Sequence, residues 1–379
     1  MLYYLSLLES YFSELRLFQY ITFRSLGAAS TAFILSLVLA PSLIRRLSVI
    51  NFGDLVEDER VGALDKSKKV GTPTMGGLLI IISAASATLL WAIPTNLYIL
   101  LTLGTFCLMG MIGFADDYLK IKRRNGLSVK AKFAFQLIWA GIAFAALWSV
   151  PEMQERVRDL MVPFVKYPIL DMGLIGSFIF LVLVLIGASN AVNLTDGLDG
   201  LAIGCSNSVA VAYLFLTYVA GHFAFAEYLQ VPFVRGSGEL TVFCGALLGS
   251  GLGFLWYNCH PAKIFMGDTG SLALGGAIAM LAILIKQELL LIIVGGVFVM
   301  EAASVVIQSS WYKYTRKRFG EGQRIFKCAP LHHHFEFYEK ERAMDQNRPP
   351  ELVETVIVTR FWILSIIFAL IGIATLKLR

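Results

Sequence analysis

The chain has 379 residues, of which 57% are hydrophobic and only 16% charged, and its net charge is +5. Soluble proteins carry about 25% charged residues. Here the deficit is gathered into long runs, which excludes a string of soluble domains, a disordered chain and a secreted disulfide scaffold. Val70 to Ala115 is 46 residues without Asp, Glu, Lys or Arg, Met172 to Thr195 is 24, Gly200 to Ala226 is 27 and Thr241 to Ala262 is 22. A bilayer-crossing helix needs about 20 apolar residues. The expected fold class is therefore an all-α polytopic membrane protein, a single integral domain over residues 1–379.

In chain order, Met1 to Tyr20 reads as a short amphipathic helix at the membrane interface, since Glu9, Glu14 and Arg16 interrupt it and no cleavage site of a signal peptide follows. Ten spans are expected, near 22–44, 74–94, 97–115, 133–150, 172–189, 200–220, 241–257, 268–285, 289–311 and 358–377. The chain turns back at Pro94-Thr95-Asn96 and again at Lys286-Gln287-Glu288. Ten crossings put both termini on one side. The loops 45–73, 116–132, 190–199, 258–267 and 312–357, with the ends of their spans, hold 23 of the 32 Lys and Arg residues. Cytoplasmic loops carry that excess, so this set is expected to face the cytoplasm and both termini the outside. The five cysteines have no C-x-x-C spacing and read as inert thiols.

All the clusters of chemically useful side chains fall in that one set of loops. Lys66-Ser-Lys68-Lys69-Val-Gly-Thr-Pro-Thr74-Met-Gly-Gly joins lysines, hydroxyls and glycines suited to a phosphate, or else anchors a span by its charge. Asp116-Asp117 lies where the third span ends, and a helix C-terminus is already partially negative. A metal, a substrate or nearby lysines should compensate, unless these are two exposed interfacial acids. Asn190, Asn193, Asp196 and Asp199 recur every three residues, so a helical turn would bring their oxygens to neighbouring faces, suiting a hard cation such as Mg²⁺. Helix capping by Asp196 or Asp199 explains one of the four. Asp268, between Gly267 and Thr269-Gly270-Ser271, opens an apolar span, where an acid suits the helix dipole. In Pro330-Leu-His332-His333-His334-Phe-Glu336, adjacent histidines cannot all face one metal from a helix. Hydrogen bonding to an anionic substrate is the preferred reading, and a solvated loop the alternative. Oxygen ligands, lysines and histidines at one membrane face suit phosphoryl transfer beside a metal.

Lys-Lys-x-Gly-Thr-Pro-Thr-Met-Gly-Gly, Phe-x-Asp-Asp-Tyr, Asn-Leu-Thr-Asp-Gly-Leu-Asp-Gly, Phe-Met-Gly-Asp-Thr-Gly-Ser and Pro-Leu-His-His-His-Phe-Glu occur in that order. The chain closely resembles the phospho-N-acetylmuramoyl-pentapeptide-transferases, a branch of the polyprenyl-phosphate N-acetylhexosamine-1-phosphate transferases. The aspartate motifs are those of the wider group, and the triple histidine resembles this branch. The resemblance implies transfer of phospho-MurNAc-pentapeptide from UDP-MurNAc-pentapeptide to undecaprenyl phosphate in the bacterial cytoplasmic membrane. Lipid I and UMP result, in the first membrane step of peptidoglycan synthesis. It implies Mg²⁺, with Asp268 as metal ligand and Asn193 and Asp196 as further candidates, and Asp116, Asp117 and Asp268 as catalytic residues. Lys69, Thr74, Lys120, Lys132, Asn190, Asn193, Asp196, Gln308, His332, His333 and His334 become substrate-binding candidates. A homodimer among membrane lipids is implied, without a nucleic-acid partner. The competing readings are a sister enzyme transferring GlcNAc-1-phosphate and a secondary transporter. Glu301, an acid inside the ninth span, supports the transporter. The other acids sit at one face rather than at the midplane where transporter sites lie.

Overall fold

The computed structural model describes residues 1–50, 71–345 and 352–378. Two 3-10 helices, Leu2–Leu8 and Ser13–Gln19, come first. They are followed by α1 (Ile21–Ile50), α2 (Gly77–Trp91), α3 (Leu97–Arg123), α4 (Val129–Trp148) and the short α5 (Pro151–Arg158). A small antiparallel hairpin, β1 (Asp159–Leu160) and β2 (Leu170–Asp171), leads into α6 (Gly173–Thr195), α7 (Leu201–Gly221), α8 (Phe223–Leu229) and α9 (Leu240–Asn258). Then come α10 (Gly267–Leu284), α11 (Leu290–Val294), α12 (Gly296–Phe319), α13 (Leu331–Asp345) and α14 (Leu352–Ala374). Among the described residues, eight helices are long and apolar enough to cross a membrane: α1, α3, α4, α6, α7, α9, α10 and α14. The protein is an all-α, multi-pass membrane protein.

Several expectations need correction. The N-terminal segment is not one amphipathic helix but two 3-10 turns, with the terminal amine donating to the carbonyls of Leu89 and Leu90 at the end of α2. The second expected span is shorter than a full crossing, because its first residues form an irregular turn in which Met75 has φ +69°. Gly76 and Gly77 N–H groups donate to the Phe265 and Met266 carbonyls, and Phe265 N–H donates to Pro73 O, before α2 starts. The ninth span is divided at Gly295, between α11 and α12, where two consecutive glycines weaken the helix. The third span runs past its expected end, through Asp116 and Asp117 to Arg123. Lys120, Lys122 and Arg123 fill its last turn and suit that end of the helix dipole.

Local signals place the turns. Asn96 caps α3, its Oδ1 accepting from the N–H groups of Tyr98 at 2.9 Å and Ile99 at 3.4 Å. Ser128 caps α4 through Ala131 N–H. The Lys286-Gln287-Glu288 turn is present but buried, with Lys286 Nζ 2.6 Å from Glu288 Oε1.

Burial orders the bundle. In α10, 89% of the apolar stretch is covered, against 22% in α1, so α10 is the central helix and α1 a peripheral one. It packs chiefly on α3 and α6, and its small residues allow close approach. A Cβ on Gly77 would come within 2.1 Å of Gly270 N, and one on Gly113 within 2.1 Å of the Asp268 carbonyl oxygen. Those two glycines bring the start of α2 and the second half of α3 against the first turn of α10.

At the opposite end of the bundle, Arg24 of α1 and Glu239 form a buried bidentate pair at 2.6 and 2.7 Å, and Glu239 also accepts from Ile93 N–H at 3.0 Å. This joins α1, the α2–α3 turn and the start of α9. Removing one partner of such a pair costs about 3–5 kcal/mol, whereas replacing both by apolar groups is far cheaper. Glu239→Ala should therefore lower the thermal unfolding midpoint in detergent sharply, and Arg24→Met combined with Glu239→Leu should recover most of it. Equal losses in both variants would show that the ion pair itself is not the fastener.

Candidate active site

The carboxylate cluster is built where α3 ends and α4 and α10 begin. Asp117 reaches from α3 to the first turn of α10. Its Oδ1 accepts from Asp268 N–H at 3.2 Å, and its Oδ2 accepts from Thr269 N–H at 2.9 Å and Thr269 Oγ1 at 2.7 Å. The acid that looked misplaced on its own helix thus caps another, satisfying amides that have no partner within α10. Asp116 Oδ1 accepts from Leu127 N–H at 2.7 Å, and its Oδ2 lies 2.7 Å from Lys120 Nζ and 3.2 Å from Lys132 Nζ.

Asp268 completes the group. Its Oδ1 accepts from Asn193 Nδ2 at 2.8 Å, while Lys132 Nζ donates to its Oδ2 and Lys120 Nζ lies 3.4 Å away. Asn193 Nδ2 also donates to Ser271 Oγ at 2.8 Å. Asp116 and Asp117 are buried, and Asp268 is the most open of the three. One oxygen from each lies within 4.8 Å of the others, close enough to share a cation. The two ammonium groups sit among them.

Other expected residues divide into near and far. Thr74 is near: a Cβ on Gly267, whose φ is +71°, would meet Asp117 Oδ2 at 2.6 Å and Thr74 Oγ1 at 2.9 Å. Asp196 is near as well. Its carboxyl is pushed up to about 8, first by burial and then by the charges of Asp268 and Asp117, with the Gly267 N–H opposing. The expected run of four on one helix is broken, because α6 ends at Thr195 and Asp199 lies in the following turn. Neither acid caps α7, whose N-cap is Gly200 in the left-handed region. Asn190 is one turn deeper and bonds to Ile186 O and Gln136 Oε1, away from the carboxylates. Lys69 lies outside the described residues.

The three histidines have different partners, although the His332 and His333 rings lie 4.2 Å apart, centroid to centroid. His332 is buried against Gly197, His333 Nδ1 pairs with Glu336 Oε2 at 3.0 Å, and His334 Nδ1 accepts from Lys327 N–H at 3.2 Å. Burial raises the Glu336 carboxyl, but His333 and Lys340 overcome that and hold it down to about 2. Gln308 accepts from the N–H groups of Ile325 and Phe326 and donates to Phe326 O, so in this state it fastens the loop before α13. A second polar group went unassigned in the sequence. His260 Nδ1 lies 3.1 Å from Asp199 Oδ2 and 3.6 Å from Glu354 Oε2, tying the α9–α10 loop to α14. His260 and Asp199 each stand in a motif, but Glu354 carries no local signal that would pair it with them.

Comparison with known proteins decides the lineage. Residues 98–286 match the glycosyl transferase family 4 model, and residues 69–81 match signature 1 of the phospho-N-acetylmuramoyl-pentapeptide-transferases. The transferase of that name from Maridesulfovibrio salexigens is 50% identical over 374 residues, covering 98% of each chain. Those from Desulfatibacillum aliphaticivorans and Solidesulfovibrio magneticus are 48% and 49% identical over the whole of both chains. The chain belongs to the phospho-N-acetylmuramoyl-pentapeptide-transferase family. The match to the broader family model runs from α3 to the turn after α10 and includes the whole carboxylate–lysine cluster. Gln308 and the histidines lie beyond it, within the full-length likeness to the named transferases.

The hydrogen bonds separate the acids experimentally. Asp117→Ala removes the cap of the most buried helix and should cost about 2 kcal/mol of stability. Asp268→Asn gives up the pairings with Lys120 and Lys132, but at the most open of the three acids, and should cost about 1 kcal/mol or less. A melting series in detergent checks this. Asp268→Asn melting as early as Asp117→Ala would contradict the division of roles.

Proposed function

We propose that this protein is a Mg²⁺-dependent transferase that moves phospho-MurNAc-pentapeptide from UDP-MurNAc-pentapeptide to undecaprenyl phosphate, giving lipid I and UMP. The observation that carries the reading is the convergence of Asp116, Asp117 and Asp268 with Lys120 and Lys132 at one end of a membrane bundle. The full-length likeness to transferases of this name supports the substrates. The positive-inside excess supports a cytoplasmic position for this end. A homodimer is part of the proposal, to be checked by native mass spectrometry.

The donor set fits Mg²⁺, a hard cation that prefers oxygen and is bound through one or two carboxylates plus substrate phosphates. Asp268 would hold it, being the most open carboxylate, with Asp116 beside it. When bound, the ion neutralises the pyrophosphate and stabilises the departing UMP. The remaining work falls to the chain. Lys120 and Lys132 offset the repulsion between two anionic substrates, and Asn193 keeps Asp268 oriented. Asp196 and Thr74 line the approach on the two flanking segments.

A lipid phosphate monoester has a second pKa of about 6 and is largely dianionic near pH 7. It needs positioning more than deprotonation. Its oxygen attacks the phosphorus bonded to the sugar, the P–O bond to the nucleotide phosphate breaks, and the electron pair leaves with UMP. Both oxygens of Asp117 already accept hydrogen bonds, and both of Asp116 are held by an amide or by lysines. Groups so engaged are poor nucleophiles, which supports single in-line displacement over a covalent aspartyl intermediate.

Purified protein with undecaprenyl phosphate and Mg²⁺ should release UMP from UDP-MurNAc-pentapeptide and not from UDP-GlcNAc; the reverse preference would move it to the sister activity. Asp268→Ala should lower turnover by on the order of 10²-fold or more. Enzyme freed of lipid should not exchange UMP into UDP-MurNAc-pentapeptide. An isolable phospho-MurNAc adduct on Asp116 or Asp117 would sink the one-step mechanism.

A further inference from the structure

Glu301 is a fully buried acid on α12, in a stretch where an unpaired carboxylate is expensive. Its partner is His332, at the start of α13. Glu301 Oε1 accepts from His332 N–H at 3.1 Å, and Oε2 lies 3.2 Å from His332 Nδ1. The carboxylate therefore caps α13 from a different helix and faces one side of the ring.

The other side of the ring is the informative one. His332 is 1% exposed, and neither ring nitrogen makes a hydrogen bond; Nδ1 has the Glu301 carboxylate 3.2 Å away as its partner, and Nε2 has none among the described residues. That nitrogen lies against the Asp196–Gly197 turn, so closely that a Cβ on Gly197 would come within 2.1 Å of it. A buried polar atom without a partner needs an explanation, because the missing bond costs free energy. Burial, the largest influence, lowers the His332 pKa and keeps the ring neutral, with Glu301 opposing. A neutral imidazole carries one hydrogen, and the group facing it decides which nitrogen has it.

We propose that Glu301 is a positioning residue for the transfer reaction: it fixes the hydrogen of His332 on Nδ1 and so holds the Nε2 lone pair against the Asp196–Gly197 turn. There Nε2 accepts from a hydroxyl or N–H donor that arrives with the substrate once the Asp196–Gly197 turn moves off the ring to admit it. The inference rests on the transferase reading for its consequence and on geometry for its first half. Glu301 makes no contact with the carboxylate cluster and acts through the ring.

Nitrogen-15 spectra of histidine-labelled protein in detergent at neutral pH test the first half without any turnover. Replacing each of the five histidines singly by Gln assigns the signals. His332 should show the Nδ1–H tautomer, and the Nε2–H tautomer in the unmodified protein would overturn the proposal. Glu301→Gln keeps an acceptor for His332 N–H but offers an amide N–H to Nδ1, so it should switch the tautomer. Its kcat/KM should fall about 10–100-fold, as for other orienting partners, with the thermal midpoint preserved. An unchanged tautomer in Glu301→Gln, or a switched one with unchanged kcat/KM, would refute the positioning role. Should Glu301→Gln fail to fold, the tautomer of the unmodified protein decides. Failure of the unmodified protein to release UMP would count against the transferase reading and leave the tautomer result standing.

Discussion

The contact between the Asp117 carboxylate and the first amides of α10 sets the geometry of the whole site. It joins an acid held inside α3, one turn before the basic end of that helix, to a helix start that attracts anions. Because α10 is the most enclosed helix, this one joint also locates Asp268 relative to Asp116. The glycines at positions 77 and 113 belong to the same constraint, since any side chain there would hold the three backbones apart.

Around that joint the chain assembles charge in a balanced way. Three carboxylates are met by two ammonium groups, one from the last turn of α3 and one from the first turn of α4. The lysines come from opposite sides of the short α3–α4 connection, whose Leu127 amide also binds Asp116. Binding groups and structural groups therefore share atoms. Asn193 illustrates this, since its amide both steadies Asp268 and ties α6 to α10 through Ser271.

Much of this was legible in the residues. Charge-free runs mark spans because the bilayer leaves few alternatives, and a dipole argument placed Asp268 at a helix start and demanded a cation near Asp116-Asp117. Other features depend on contacts between distant segments and leave no local trace. The period of three through Asn190 and Asp199 suggested a continuous helix, yet the chain leaves α6 at Asp196, in the stretch containing Gly197 and Gly200. Three adjacent histidines suggested one shared task. Their actual partners, Glu301, Glu336 and Lys327, lie on other helices, one turn away or in the preceding loop. The shortness of α2 came from backbone pairing with residues 265 and 266, nearly two hundred positions away.

The lysine-filled acid cluster has a consequence for how the protein is made. A structural metal domain whose acidic or thiolate ligands lack internal counter-charges cannot fold until its ion arrives. Here Lys132 Nζ bridges Asp116 and Asp268 and supplies the positive charge from within the chain. With this geometry the helices can assemble around the acids before any divalent cation is bound. On the proposed Mg²⁺ reading, scarcity of the ion would lower turnover while leaving the helix assembly intact.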